Sequence, residues 1–362
     1  MATTFKTILN NDVTSTRTLL HEAIPLTGSI VSGTYSEANI KNYSHGMFQS
    51  VYDYPFLSSS ANHIFDLSVG YHSDSSLSAS TSTQNAKKIN IYNQMAQTLV
   101  GYDDSGNIRK FDRDGNFATT TDKMDSVFFV NFSRLLSKDE IKKGSFQMGL
   151  NVSGAYSAAQ QTITLQDANA STDYRTNSPA GEYGLLFTSS AGDPSGNDEA
   201  LGLIYYQAGV AVITSSVWDE SNVDPGFEPK VVDNYFGTIL AGAGNNVYDS
   251  FFDSLVSGSI SGSCDGIRNR IENIQFNNTT ELNSTIYFCR ANHNEFNYSA
   301  NPTYLSNSKI QVKDTSLDSP ISYITSVGLY SADNELLAVA KLSEPLKKDP
   351  TNELTLRVRL DY

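Results

Sequence analysis

Five histidines and two cysteines are the residues of this 362-residue chain best suited to bind a transition metal. No two histidines have the four-residue spacing of a helical zinc site, and no cluster of cysteines with histidines occurs. A pair could meet across a hairpin at His63 and His72, but two ligands without a third are weak grounds for a metal centre. We therefore expect single hydrogen-bonded or surface histidines and no bound metal or cofactor. The histidines are His21, His45, His63, His72 and His293.

Three other motifs resemble catalytic or ligand-binding sequences, and each departs from the required pattern. The segment "AGAGNN" (241–246) lacks the third glycine of a dinucleotide-binding loop, so we expect a glycine-lined turn before a helix. The segment "DRDGN" (112–116) has the wrong glycine spacing for a calcium loop and no closing glutamate. Neighbouring carboxylates such as Asp103 and Asp104 could serve in glycoside hydrolysis. Acidic turns are common in proteins, however, and the sequence does not give the distance between the two carboxyl groups. We predict no enzymatic activity.

Net charge and composition limit the classes of molecule that the protein is expected to bind. The formal charge is −14, and no block of Lys or Arg appears, which disfavours direct binding of nucleic acid. The first residues, "MATTFKTILNNDV", lack the pattern of a signal peptide. Two cysteines are too few for a disulfide framework, so Cys264 and Cys289 are expected to be either two small buried side chains or one bridge.

The apolar pattern predicts a mainly β protein. Short apolar runs alternate with turns rich in Gly, Asn and Asp, which is typical of antiparallel β-sandwich-type domains with minor helix. The most apolar stretch, "LGLIYYQAGVAVITSSVW" (201–218), is interpreted as a β-hairpin and not as a membrane span. Helices are predicted at 85–102 and 245–258 from apolar residues at three- and four-residue intervals. A capping box at Ser137 and Glu140 predicts a short helical turn starting there.

Changes in composition predict four regions. Residues 1–72 form a β-rich, aromatic-rich N-terminal region, and residues 73–85 form a Ser/Thr-rich loop. Residues 86–260 form a central α+β region. The segment "SISGSCDGIRN" (259–269) breaks the helical pattern, so a C-terminal β-sandwich domain is predicted over 261–362.

The last hundred residues carry the clearest strand pattern. The stretch "ISYITSVGLYSADNELLAVAKLSEPLKK" (321–348) predicts two strands around a turn, the second ending at Pro345. Its predicted core face includes Tyr323 and Leu329. The stretch "LTLRVRLDY" (354–362) alternates apolar and polar residues, which predicts a half-buried third strand completing a meander. Arg357 and Arg359 lie on its polar face.

Two segments combine aromatic side chains with small polar ones. They are "NYSHGMFQSVYDYPF" (42–56) and "NEFNYSANPTYLSNS" (294–308). Aromatic rings supply rigid contact area, and Asn and Ser adapt their hydrogen bonds, so both segments are candidate subunit contacts or else buried connectors. With the two arginines, the candidate interface residues are Tyr43, Phe48, Tyr52, Tyr54, Phe56, Phe296, Tyr298, Tyr304, Arg357 and Arg359.

The sequence also resembles a known family. The segments "TRTLLHEAIPLTGSIVSGTY", "NIKNYSHGMFQSVYDYPFLSSSANHIFDL" and "VGLYSADNELLAVAKL" are similar to structural proteins of large contractile-tailed bacteriophages, especially those of marine cyanobacteria. The resemblance implies a virion tail or baseplate protein built into a symmetric multi-copy assembly in the host cytoplasm. It implies no catalytic residues.

The favoured prediction is a non-enzymatic baseplate or baseplate-peripheral protein that mediates subunit contacts and fibre attachment. Its partners would be other tail and baseplate proteins, with no nucleic acid bound and no membrane insertion. Two alternatives remain open: a tail-fibre or spike protein that binds a host-surface glycan, and a neck or tail-completion protein. A depolymerising enzyme is disfavoured because no catalytic constellation is present.

Overall fold

A computed structural model describes residues 5–25, 37–79, 84–118, 121–151, 162–188, 200–218, 254–256, 258–297, 305–306, 309–310 and 320–362. The protein is mostly β, with antiparallel sheets, as predicted. The described strands are β1 (Val13–Pro25), β2 (Ile40–Asn42), β3 (Gln49–Tyr52), β4 (His63–Tyr71), β5 (Ser126–Phe132), β6 (Glu140–Ile141), β7 (Gln147–Asn151), β8 (Thr162–Gln166), β9 (Arg175–Ser178), β10 (Gly181–Leu186), β11 (Gly202–Tyr205), β12 (Val210–Thr214), β13 (Ile271–Ala291), β14 (Leu305–Ser306), β15 (Lys309–Ile310), β16 (Ser322–Tyr330), β17 (Leu336–Lys348) and β18 (Leu354–Asp361). The α-helices bounded within the described residues are α1 (Asn85–Leu99), α2 (Arg134–Ser137) and α3 (Ile260–Arg270).

The chain divides into two compact units. We call residues 1–19 with 281–362 the terminal unit, and residues 20–280 the central unit. Strands β1 and β13 each contribute residues to both units. The four regions predicted from composition stay a prediction.

The central unit is built on an eight-stranded antiparallel sheet in the order β2-β3-β4-β5-β12-β11-β10-β9. Strands β4, β5 and β12 are buried almost throughout because both faces of the sheet are covered, which explains their continuous apolar runs. A second layer comes from β7, β8 and the first half of β13. The rings of Phe132, Phe146 and Phe276 pack together at centroid distances of 5.1 to 6.5 Å and join the layers into a sandwich.

Helix α1 lies against β4 at a glycine. A side chain at Gly70 would place its Cβ 2.8 Å from the Lys88 carbonyl oxygen and 2.9 Å from the Tyr92 amide nitrogen. The predicted helix is confirmed, and Tyr92, Ala96 and Leu99 are buried as its spacing implies. Its buried face also includes Lys88, which the spacing did not indicate.

The predicted hairpin over 201–218 is confirmed: β11 and β12 pair antiparallel, with Gly202 opposite Ile213 and Tyr205 opposite Val210. No helix within the described ranges has the length and apolar character needed to span a bilayer. The segment 241–246 and most of the helix predicted at 245–258 lie outside the described residues.

Two local predictions in the central unit are wrong. Ser137 does not begin a helical turn: α2 ends there, and Glu140 begins strand β6, because Lys138 adopts a left-handed φ of 55° that stops the helix. The segment 259–269 does not break the helical pattern but forms α3. Its start is stabilised by the Ser259 hydroxyl, which accepts a hydrogen bond from the Gly262 amide at 3.1 Å.

Two predictions for the last strands are also wrong. Strand β18 pairs with β13 and not with β17, so 321–361 is no three-stranded meander. Instead, β16 and β17 form a two-stranded sheet of their own. Strand β17 does not end at Pro345 but continues to Lys348, because a register shift between Ile324 and Ser326 leaves the proline outside the paired positions.

Candidate interaction surfaces

The first aromatic cluster lies in the turn between β2 and β3. The Tyr43 ring stacks on His45 at a centroid distance of 5.1 Å and contacts the Phe48 ring at 4.8 Å. The Lys41 amine lies 4.7 Å from the centroid of the same tyrosine ring, a cation–π distance. The sequence therefore identified residues that the structure brings together, and all of them are partly exposed.

A second cluster continues from the first along β3. The Tyr52 ring lies 5.5 Å from His63 and 6.3 Å from Phe56. Burial raises the pKa of Tyr52, and charge repulsion from the neighbouring Tyr43 raises it further. We call Tyr43, His45, Phe48, Tyr52 and Phe56 the aromatic surface. Tyr54, also predicted, lies beside this surface in sequence and is 57% exposed.

A polar network lies beneath the aromatic surface. The Ser50 hydroxyl donates a hydrogen bond to the Asp66 carboxylate, and His63 Nε2 lies 2.8 Å from the same carboxylate oxygen. The Tyr43 hydroxyl lies 3.3 Å from the Ser50 hydroxyl, within hydrogen-bond distance. The sequence did not identify this network, because its members come together only when β3 pairs with β4.

His63 and His72 do not meet across a hairpin. His63 begins β4, and His72 directly follows its last residue, so the two lie at opposite ends of one nine-residue strand. Burial lowers the pKa of His72, and Lys110 lowers it further. Within the described residues, no group of three or more His, Cys, Asp or Glu is arranged to hold a metal ion. Cys264 is buried and free, and Cys289 is half-buried and free.

Among the described residues of the terminal unit, the hairpin of β16 and β17 carries several exposed apolar side chains. Tyr330 is 45% exposed, Leu336 52%, Leu337 68% and Val339 55%. The predicted core residue Leu329 is buried, but Tyr323, predicted on the same face, is 57% exposed. A two-stranded hairpin is at best marginally stable alone in water, so this one depends on what packs against it.

The base of this hairpin is anchored by a buried lysine. The Lys348 amine donates to the Asn297 side chain at 2.7 Å and to the Asp349 carbonyl at 2.9 Å. The Ser322 hydroxyl donates to the Phe296 carbonyl. Phe296 itself is 44% exposed and adopts a left-handed φ of 55° in a turn. The base is therefore fixed while the apolar tip remains exposed.

Strand β18 carries the two predicted arginines on its exposed face. Arg359 Nε donates to Asp361 at 2.7 Å, and its guanidinium also donates to the Ser284 hydroxyl at 3.1 Å. Arg357 is exposed opposite Phe288 of β13. The aromatic surface and these arginines belong to different units, so the structure does not assign them to one site. Tyr298 and Tyr304 lie outside the described residues.

Comparisons with known proteins give no relative. No protein-family model matches the chain, and no curated protein and no solved structure matches it.

Proposed function

We propose that this chain is a non-enzymatic structural protein of a contractile phage tail, located in the baseplate or at its periphery. It would mediate subunit contacts and fibre attachment, in a symmetric assembly formed in the host cytoplasm. Its partners would be other tail and baseplate proteins.

The observation that carries the proposal is the poor burial of the terminal unit. Among its described residues only Ala291, Leu329 and Val358 are buried apolar side chains. The central unit, by contrast, has a continuous core that runs through both layers of its sandwich. A unit of this size normally buries a core of its own, and exposed apolar clusters mark interaction sites. An assembly subunit that completes its packing on neighbours accounts for this contrast.

Sequence features support the same function. The resemblance to tail proteins involves both the N-terminal segments and the β16–β17 hairpin. The candidate contact residues are tyrosines, phenylalanines and arginines, which are enriched in interface centres. The acidic charge of −14 favours solubility before assembly.

The test is the composition of purified virions. Quantitative mass spectrometry of density-purified particles should find this chain in a fixed ratio to the tail-tube and baseplate proteins. Particles disrupted into heads and tails should retain it in the tail fraction. Its absence from intact virions would refute the proposal, and its presence only at the head–tail junction would favour the neck or tail-completion alternative.

The aromatic surface keeps glycan binding open as a second function. Aromatic rings beside a network of hydroxyl, carboxylate and imidazole groups suit a sugar, which offers both apolar and hydrogen-bonding faces. Binding of the full chain to a glycan array, lost in Tyr54→Ala and Phe48→Ala but kept in Tyr102→Ala, would favour this function. Tyr102 is a suitable control because it is a similarly exposed tyrosine, 48%, outside the surface.

A further inference from the structure

An ion pair of the central unit holds two reactive groups together. Lys123 and Asp112 lie directly opposite each other in an antiparallel bridge. Main-chain hydrogen bonds of 2.9 and 3.0 Å flank the bridge, so Lys123 and Asp112 form a non-hydrogen-bonded pair, the kind whose side chains lie closest. The Lys123 amine contacts Oδ2 of the Asp112 carboxyl group. A potential nucleophile is therefore held beside a carboxyl carbon.

Burial makes this pair more reactive than an ion pair at the surface. The Asp112 side chain is completely buried, and that of Lys123 is 19% exposed. The Phe117 ring lies 6.0 Å from the Lys123 amine. Because burial penalises charge, it shifts such a pair from carboxylate and ammonium toward the neutral acid and the neutral amine. These neutral groups are the two that can form an amide.

A second carboxyl group, that of Asp114, is placed to carry a proton. The Asp114 amide donates to Oδ1 of Asp112 at 3.1 Å, so both side chains belong to one tight turn. Burial and the Asp114 carboxyl group, opposed by Lys123, raise the pKa of Asp112 to about 6. The interaction with Asp112 lowers the pKa of Asp114. Two carboxyl groups whose pKa values are driven apart can act as an acid and a base.

We propose that Lys123 and Asp112 condense into an amide between their side chains. The Lys123 nitrogen attacks Cγ of Asp112, a C–N bond forms, and the C–OH bond of the acid breaks. The Asp114 carboxylate takes a proton from the amine and passes one to the departing hydroxyl, so one water leaves and no other reactant is consumed. Effective molarities of about 10⁵–10⁸ M for groups held in this way offset the cost of condensation in water.

This inference concerns the covalent structure of the central unit and does not depend on the proposed function. The amide would close the chain covalently between residues 112 and 123. A closed ring restricts the unfolded chain, as a disulfide does, so the turn would resist local opening.

The pH dependence of the reaction follows from the same groups. The reactive form, a protonated Asp112 with a deprotonated Lys123, has as many protons as the ion pair. Below pH 6 both groups are protonated, so the rate should fall about tenfold for each pH unit. Arg175 also lowers the pKa of Asp114, and burial raises that of Tyr183, which faces both carboxyl groups, so Asp114 stays ionised and Tyr183 stays neutral over this range.

The first experiment follows the intact mass of the full chain by mass spectrometry after refolding. Chain recovered unfolded from inclusion bodies and refolded at pH 4 should have the mass of its sequence, and it keeps the ion pair and the titrating Asp112 carboxyl group. After transfer to pH 8 it should lose about 18 Da, the mass of one water. Trypsin should then fail to cleave after Lys123, and residues 111–113 should be recovered joined to residues 114–134.

The second experiment uses variants. Lys123→Arg keeps the positive charge but has no nucleophilic amine, so it should keep its full mass at pH 8. Asp114→Ser should slow the mass loss by about tenfold or more, because it removes the proton carrier. Asp104→Ser is the matched control: the Asp104 side chain is fully exposed, and its removal should leave the rate unchanged. Circular dichroism checks that each variant is folded.

Three results would overturn the inference. They are a wild-type chain that keeps its full mass at pH 8, a mass loss after which trypsin still cleaves at Lys123, and a Lys123→Arg chain that loses the same mass. The last two would place the water loss elsewhere, for example in a succinimide between Asp114 and Gly115. An unchanged rate in Asp114→Ser would overturn the role given to Asp114.

Discussion

The Lys88 amine donates a hydrogen bond to the Gly258 main-chain carbonyl at 2.9 Å in the core of the central unit. It also donates to the Leu255 carbonyl, and Lys88 is completely buried. These carbonyls belong to the segment in which residues 254–256 are helical, so the lysine ties helix α1 to a second helical segment. Burial lowers the pKa of Lys88 from 10.5 to about 8.

Lys88→Met should destabilise the protein by about 2–4 kcal/mol, because it leaves two buried carbonyls without their donor. Lys87→Met is the control: Lys87 is exposed on the same helix and should change the free energy of unfolding by less than about 0.5 kcal/mol. Urea unfolding at pH 7 measures both. Equal effects of the two substitutions would show that the buried amine contributes nothing specific.

The pH dependence of the same lysine gives a second prediction. Because its folded pKa of about 8 is below the unfolded value of 10.5, the unfolded chain binds more protons between these values. Wild-type stability should therefore rise between pH 8 and 10 relative to that of Lys88→Met. If the free energies of unfolding of the two proteins changed equally with pH over this range, the amine would not be buried and partly deprotonated.

The pH dependence of stability that Asp112 causes should have the opposite sign to that of Lys88. Burial, reinforced by a hydrogen bond with Asp114 and opposed by the Lys123 ion pair, raises the pKa of Asp112 to about 6. Its contribution to stability is present below about pH 4 and is lost as the pH rises through 6. The free energy of unfolding of Asp112→Asn, measured relative to wild type, should therefore rise by about 1–3 kcal/mol between pH 4 and 7. Asp104→Asn, at a fully exposed carboxylate, should show no such gain.

Gly70 allows helix α1 to approach β4, so Gly70→Ala should destabilise the protein by about 1–3 kcal/mol through overpacking. The atoms that an added Cβ would meet are main-chain atoms of the helix, which cannot move independently. Gly149→Ala is the matched strand control, because its Cβ would find only ordinary contacts at 3.5 Å or more. Thermal unfolding compares the two, and an unchanged midpoint for Gly70→Ala would mean that the helix can shift without loss.

The sequence predicted elements better than it predicted their partners. Helix α1, the β11–β12 hairpin and the β16–β17 hairpin follow from local spacing and turn residues, which nearby sequence determines. The pairing of β18 with β13 joins residues about seventy positions apart, and no local pattern distinguishes it from the expected meander. Helix α3 was missed because two of its residues are glycines, and its support comes from a capping serine and from the buried Ile260, Cys264 and Ile267.

The candidate surfaces were predictable only in part. Aromatic segments could be identified from composition, and Tyr43, Phe48 and Tyr52 do lie together. The Ser50–Asp66–His63 network depends on strand pairing, and the buried role of Lys88 contradicts the usual exposure of lysine. Charged residues that act inside a core have no distinct signal in a single sequence.

The pairing of β18 with β13 indicates which part of the protein should unfold when the last strand is removed. Val358 is one of the three buried apolar residues described in the terminal unit, and Arg357 to Asp361 pair with Phe288 to Ser284 of β13. Deleting residues 357–362 should therefore unfold the terminal unit, seen as loss of amide-exchange protection at 284–291, while the core of the central unit keeps its protection. The control is Arg357→Ala with Arg359→Ala, which keeps the main-chain pairing and should preserve that protection. If the truncated chain keeps its protection and fails only to assemble, the last strand serves a neighbour and not its own unit.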